Sequence, residues 1–155
     1  SMLSEYRNMV NELSPEVVER AKIYVNILME EYGLNESSLE ALLLPQVADI
    51  RFLYGEGFNM VLGTDTGNDF NFPGYSLHEE MQLLEIGGME PLDIIKMGTL
   101  NAAKMMKAQD SLGSIEVGKI ANLILLDKNP LESIRNTLEI NKVIKNGVVQ
   151  KRLME

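Results

Sequence analysis

Three stretches of the sequence carry side chains whose types and spacing could do chemistry. The first is Val61-Leu-Gly-Thr-Asp-Thr-Gly-Asn-Asp69, an apolar run that ends on a carboxylate. Asp-Thr-Gly could be the catalytic loop of one half of an aspartic protease, where two copies bring together two carboxylates sharing a proton. Asp65 could equally be a metal-binding carboxylate at the tip of a barrel strand. The second is His78, the only histidine in the chain. Alone it cannot build a zinc site, because catalytic zinc takes three protein ligands drawn mostly from His, Asp and Glu. The third is Gly113-Ser-Ile-Glu-Val-Gly-Lys119, which has the Gly-x4-Gly-Lys spacing of a phosphate-binding loop. Ile120 stands where a Ser or Thr should hold magnesium, and an apolar strand comes next where a helix N-terminus should meet the phosphates. The stretch therefore reads as a turn with two glycines.

The elements that must position these residues can be read from periodicity. Ser14-Pro15-Glu16 starts a helix, with Ser at the N-cap, Pro at the first helical position and an acid in the first turn. Val18, Ala21, Val25, Leu28 and Met29 then recur at helical spacing until Gly33. Ser37-Ser-Leu-Glu40 has the form of a capping box for a short helix, and Pro45 opens another whose Val47, Ile50, Leu53 and Tyr54 face inward before Gly55 and Gly57. Phe58 to Leu62 predicts a short apolar strand suited to a parallel sheet covered on both faces, which puts Asp65 just past a strand end.

After a loop over 67–74, Ser76-Leu-His-Glu79 predicts a second capping box leading a helix to Gly87-Gly88. Pro91 opens a helix to about Lys107, with Gly98 in its middle as a mark of close packing. Next comes the strand from Asn122 to Leu126, and then a hairpin over Val143 to Val149 whose Asn146-Gly147 pair suits a type I′ turn. The surroundings of Asp65 thus argue against a protease half: such folds are nearly all β, whereas amphipathic helix precedes this loop and a capped helix succeeds it.

Composition removes whole classes of function. There is no cysteine, which excludes disulfides, thiolate metal sites and a cysteine nucleophile and makes a reducing cytoplasm the default. The net charge is −9, and without a Lys/Arg block the chain is a poor partner for nucleic acid. No apolar run approaches the roughly 18 residues that span a bilayer, so no membrane partner is expected. The acids are unevenly spread, 18 against 7 bases in residues 1–112 and 5 against 7 in 113–155, which suggests two compositional units. The 10 methionines read as pliable core filler. A full eight-stranded barrel of about 250 residues does not fit in 155.

The order of motifs resembles a family. Val61-Leu-Gly-Thr-Asp-Thr-Gly67, Pro73-Gly-Tyr-Ser-Leu-His-Glu-Glu80, Gly88-Met-Glu-Pro-Leu92, Thr99-Leu-Asn-Ala-Ala103, Leu112-Gly-Ser-Ile-Glu-Val-Gly-Lys119 and Val143-Ile-Lys-Asn-Gly147 succeed one another as in the carboxy-terminal portion of the amidohydrolase superfamily. The resemblance is to the branch of imidazolonepropionases and metal-dependent Xaa-Pro or Xaa-Arg dipeptidases, and it covers about residues 45 to 150. It implies an α/β fold: the last strand and helices of a TIM (β/α)8 barrel over residues 1–112, with part of a composite β-sandwich over 113–155. It implies an active site at the carboxyl ends of the strands. Asp65 would be both a ligand of a divalent metal, zinc first among the candidates, and the base that takes a proton from the bound water. Thr66, Gly67 and His78 would shape the pocket for a small cyclic amide or dipeptide.

Departures from the family pattern are as informative. The His-x-His pair of the first strand and the histidines of the middle strands have no counterpart in a chain whose single histidine is His78. Glu90 replaces the usual Thr or Ser before proline, and Asn122 the usual Asp before the apolar strand. The resemblance therefore implies a carboxy-terminal segment that is inactive alone, with exposed strand edges that pair with a second copy or a complementing chain. The alternatives from other classes are a non-catalytic interaction or scaffold module, one chain of a split hydrolase and, more remotely, the aspartic protease.

Overall fold

The computed structural model describes residues 19, 23, 27, 30–33, 35–67, 71 and 73–151. The backbone divides into two units, residues 1–43 with 68–70 and residues 44–67 with 71–155. In the first, Glu19, Ile23, Ile27 and Glu30 to Tyr32 have helical backbone before Gly33 turns with φ 61°. The expected cap at Ser14 and the apolar face of that helix lie outside the described residues.

Helix α1, Glu36–Gly55, is one continuous helix with Pro45 inside it, where two helices were expected. Asn35 and Ser38 form a reciprocal box at its N-terminus, and the side chains of the expected box, Ser37 and Glu40, lie outside the described residues. The Asn35 amide donates to Ser38 Oγ at 3.2 Å and the Ser38 amide to Asn35 Oδ1 at 3.0 Å, so two otherwise orphaned donors satisfy each other's residues. Pro45 forfeits one helical hydrogen bond. Packing beyond it keeps the helix going, since Val47 is 2% exposed and Ile50 and Tyr54 lie against the core, while Leu53, expected inward, is exposed.

The second unit is built around α2 (Tyr75–Ile86), α3 (Pro91–Gly98) and α4 (Leu100–Met105). The cap of α2 is Gly74 with φ 83° and no side-chain cap bond; Ser76 lies one residue inside the helix and is buried, so the expected Ser76–Glu79 capping box does not form. A residue in that left-handed conformation favours glycine, which turns the chain before Ser76 can serve as the cap. The single helix expected from Pro91 to Lys107 is interrupted. Thr99 leaves helical geometry at φ −128°, ψ −89° and its hydroxyl donates to the Ile95 carbonyl at 2.7 Å. At Gly98 a β-carbon would stand 2.9 Å from Leu62 Cδ1, so the close packing expected at this glycine is present.

The core gathers Val47, Met81, Leu84, Met89, Ile94, Met97 and Ile134, with Met60 and Leu62 packed on it. Three methionines in that set fit the reading of Met as filler. Gly87, just past α2, approaches Val47 so closely that a β-carbon would fall 2.0 Å from Val47 Cγ1. Tyr54 on α1 donates its hydroxyl to Asp93 Oδ1 on α3 at 3.0 Å, and Lys96 reaches the same oxygen at 2.9 Å.

Residues Phe58 to Leu62 pair with no strand among the described residues, which corrects the strand expected there. A strand exists through its ladder. Here side chains take the ladder's place. Asn101, 8% exposed, donates Nδ2 to the Met60 carbonyl at 3.1 Å and accepts at its own carbonyl from Asn59 Nδ2 at 3.1 Å.

A three-stranded antiparallel sheet completes the second unit, in the order β1 (Leu123–Leu126), β2 (Ile140–Lys145), β3 (Val148–Val149). Ile144 pairs with both Leu123 and Val149. Asn146 and Gly147 turn β2 into β3 with φ 51° and 78°, the expected type I′ geometry. A 3-10 turn at Ile134–Leu138 buries Ile134 completely. Among the described residues no helix is long and apolar enough to cross a membrane.

Gly113 combines φ 90° with backbone neighbours, a β-carbon there meeting Leu100 Cα at 3.0 Å and the Thr99 carbonyl oxygen at 3.1 Å. Gly118 has a similar φ of 94° and open space around it. We expect Gly113→Ala to cost about 3 kcal/mol in urea unfolding and Gly118→Ala about 1, because only the first adds a steric clash to the left-handed penalty. Equal losses would contradict this packing.

Candidate functional site

The segment that leaves the core at Leu62 delivers Gly63-Thr-Asp-Thr-Gly67 to the surface. Asp65 is exposed and has φ 50°, a left-handed backbone that Asp tolerates better than most residues but still at some cost. Two polar ties bracket it. Thr64 Oγ1 and Thr66 Oγ1 share a hydrogen bond of 2.6 Å, and Asn71 Nδ2 donates to the Asp65 carbonyl at 3.4 Å. Gly67 comes next with φ 122°. Strain of this kind persists only where surrounding contacts impose it, and it concentrates at functional sites.

Helix α2 provides the contact from below. Glu80 accepts from the Gly63 amide with both carboxylate oxygens, at 3.0 and 3.1 Å. Burial pushes the Glu80 carboxyl above its ordinary range, the bond from Gly63 pulls it back, and the charge of Asp65 pushes it up again. The structure thus brings to the Asp65 loop a residue that the Pro73–Glu80 motif contains but that nothing in its sequence context marks for a role.

His78 makes its contact elsewhere. Its Nδ1 lies 2.8 Å from Thr137 Oγ1 on the 3-10 turn, and burial lowers its proton affinity. Positions 78 and 80 differ by about 200° around a helix of 3.6 residues per turn, so His78 and Glu80 serve opposite sides of α2. About two turns past His78, Glu85 accepts from the Ile134 amide at 2.8 Å and from Ser133 Oγ at 3.3 Å.

The donors among the described residues do not complete a catalytic metal site. Among the described residues no three His, Cys, Asp or Glu side chains group together as a metal would require, against the three protein ligands of a catalytic zinc. Asp65 is the donor this loop offers. A hollow of about 560 Å³, open to solvent, lies beside Tyr54, Gly57, Phe58, Asn59, Asn101 and Lys104.

Comparison with known proteins places these features. The amidohydrolase family model matches residues 8–149, and the chain belongs to that family. It is 34% identical over 113 residues to the imidazolonepropionase of Fusobacterium nucleatum, an alignment covering 68% of this chain and 26% of that protein. It is also 34% identical over 124 residues to the ochratoxinase of Aspergillus niger, covering 77% and 25%. Among solved structures, a Xaa-Pro dipeptidase with methionine bound in its active site superposes with a TM-score of 0.60 at 34% identity, covering 70% of this chain and 26% of that one. The chain spans about a quarter of the length of these relatives. The relation sets its helices and small sheet within a TIM-barrel-related α/β fold.

Half-burial of Glu79, next to Glu80, pushes its carboxyl from 4.5 up to about 7. The folded chain then holds a proton that the unfolded chain has released, so stability falls as pH rises between those values. The lowered affinity of His78 acts in the opposite direction below pH 6.5. We expect Glu79→Gln to leave stability near pH 4.5 little changed and to raise it above pH 7 by about 1 kcal/mol, a figure reduced for solvent screening. Urea unfolding of both proteins across this range checks it, and parallel pH profiles would contradict it.

Proposed function

We propose that this chain supplies the Asp-bearing carboxy-terminal part of a metal-dependent amidohydrolase that cleaves a C–N bond in a small cyclic amide or a dipeptide. One observation carries the reading: in a chain of this family, Asp65 is held exposed on a left-handed turn directly after the apolar segment Met60 to Leu62. The names of the relatives, imidazolonepropionase and Xaa-Pro dipeptidase, suggest the two substrate classes.

In this reading the Asp65 carboxylate accepts a proton from the attacking water as its oxygen bonds to the carbonyl carbon. It returns the proton to the departing nitrogen. Thr66 and Gly67 shape the substrate side of the loop. His78, engaged by Thr137 on the side of α2 away from Glu80, supports the 3-10 turn in this reading rather than the substrate side of the loop. The remaining metal donors come from outside these 155 residues, either from more of the same polypeptide or from a second chain, and the 155 residues alone do not turn over substrate.

The test is complementation: co-expression with the histidine-bearing remainder of a related barrel, assayed on a cyclic amide and on Xaa-Pro dipeptides. Turnover should require both parts, and Asp65→Asn should lower kcat at least about 100-fold. Hydrolysis by the 155 residues alone at acid pH without metal, or full turnover by the complemented Asp65→Asn variant, would overturn the proposal.

A further inference from the structure

We propose that Glu80 is the positioning residue for Asp65, a role that rests on Asp65 being the base. Glu80 sits on α2 between His78 and the buried pair Met81 and Leu84, so the core fixes where its backbone can be. From that fixed point both carboxylate oxygens receive one amide, that of Gly63, at 3.0 and 3.1 Å. Only Thr64 separates Gly63 from Asp65.

The amide matters because it ties the start of the loop to the helix. Among the described residues the loop past Leu62 is also tied to itself, by the Thr64–Thr66 hydroxyl pair and the Asn71 bond to the Asp65 carbonyl. Those bonds shape the turn but do not fix it relative to α2. Glu80 does. It sets the height and direction from which the φ 50° turn at Asp65 begins, and small displacements of a catalytic group are costly to turnover.

An ionised acceptor suits the task. A charge-assisted bond to a backbone amide is stronger than a neutral one, and this bond is kept although the charge of Asp65 opposes the charge of Glu80.

The experiment reads the bond first on the chain itself, by hydrogen exchange of the Gly63 amide in Glu80→Ala and Glu80→Gln, with the Ile94 and Ile134 methyl signals reporting an intact core. Glu80→Ala should speed Gly63 exchange at least about tenfold and shift the Thr64, Asp65 and Thr66 amides, while Glu80→Gln, which keeps an acceptor, should restore protection to within about threefold of the parent. Should Glu80→Ala fail to fold, Glu80→Asp withdraws the acceptor by one methylene and should behave as Ala.

In the complemented enzyme Glu80→Ala should lower kcat about tenfold or more with KM little changed, and Glu80→Gln should recover most of it. Unchanged Gly63 exchange in Glu80→Ala overturns the proposal. So does unchanged kcat in that variant when Asp65→Asn is inactive. Full turnover in Asp65→Asn instead overturns the assignment of the base itself.

Discussion

Burial of Met81 and Leu84 on the inner face of α2 is the constraint on which the rest of the second unit depends. Those side chains share one core with Val47, Ile94, Met97 and Ile134, and a side chain of that size contributes about 1.5 to 3 kcal/mol when fully buried. With the inner face fixed, the polar residues of α2 are committed to separate tasks. Glu80 holds the loop that carries Asp65, while His78 and Glu85 hold the 3-10 turn that feeds β2. The helix is thus the shared support of a loop and a sheet that make no ladder with each other.

That arrangement explains how the segment from Phe58 to Leu62 keeps its place without strand partners among the described residues. Met60 and Leu62 lie inward against the core, Leu62 fits where Gly98 has no side chain, and Asn101 answers the Met60 carbonyl. In a sheet the neighbouring backbone would provide those bonds. Here side chains from α2 and α4 provide them, and the loop beyond inherits its direction from Glu80.

Much of this was legible in the sequence where the signal was local. Pro91 at a helix start, the Asn146-Gly147 turn and the inward Val47, Ile50 and Tyr54 come from backbone chemistry and spacing that neighbours do not overrule. The features that escaped the sequence depended on tertiary context. Pro45 reads as a start but is carried inside α1 because Val47 is buried beyond it and Ile50 packs against the core. Ser76 reads as a cap but is buried, with Gly74 making the turn. Asp65 stood out because a carboxylate ends an apolar run, whereas nothing in the spacing set Glu80 apart from its neighbour Glu79. Only the fold shows that one of two adjacent acids meets an amide 17 positions earlier.

Family membership and the Asp65 donor offered by the loop meet in one claim: these residues carry part of a metal-dependent hydrolase site and not the whole of it. Zinc content after chelation, dialysis and reloading, measured together with native mass, tests that claim most directly. The account predicts that the 155 residues alone retain no stoichiometric zinc and that zinc is retained only when a histidine-bearing complement co-purifies. One tightly held zinc per chain in a monomer of 17.4 kDa would contradict it, because the ligands would then have to come from this chain itself.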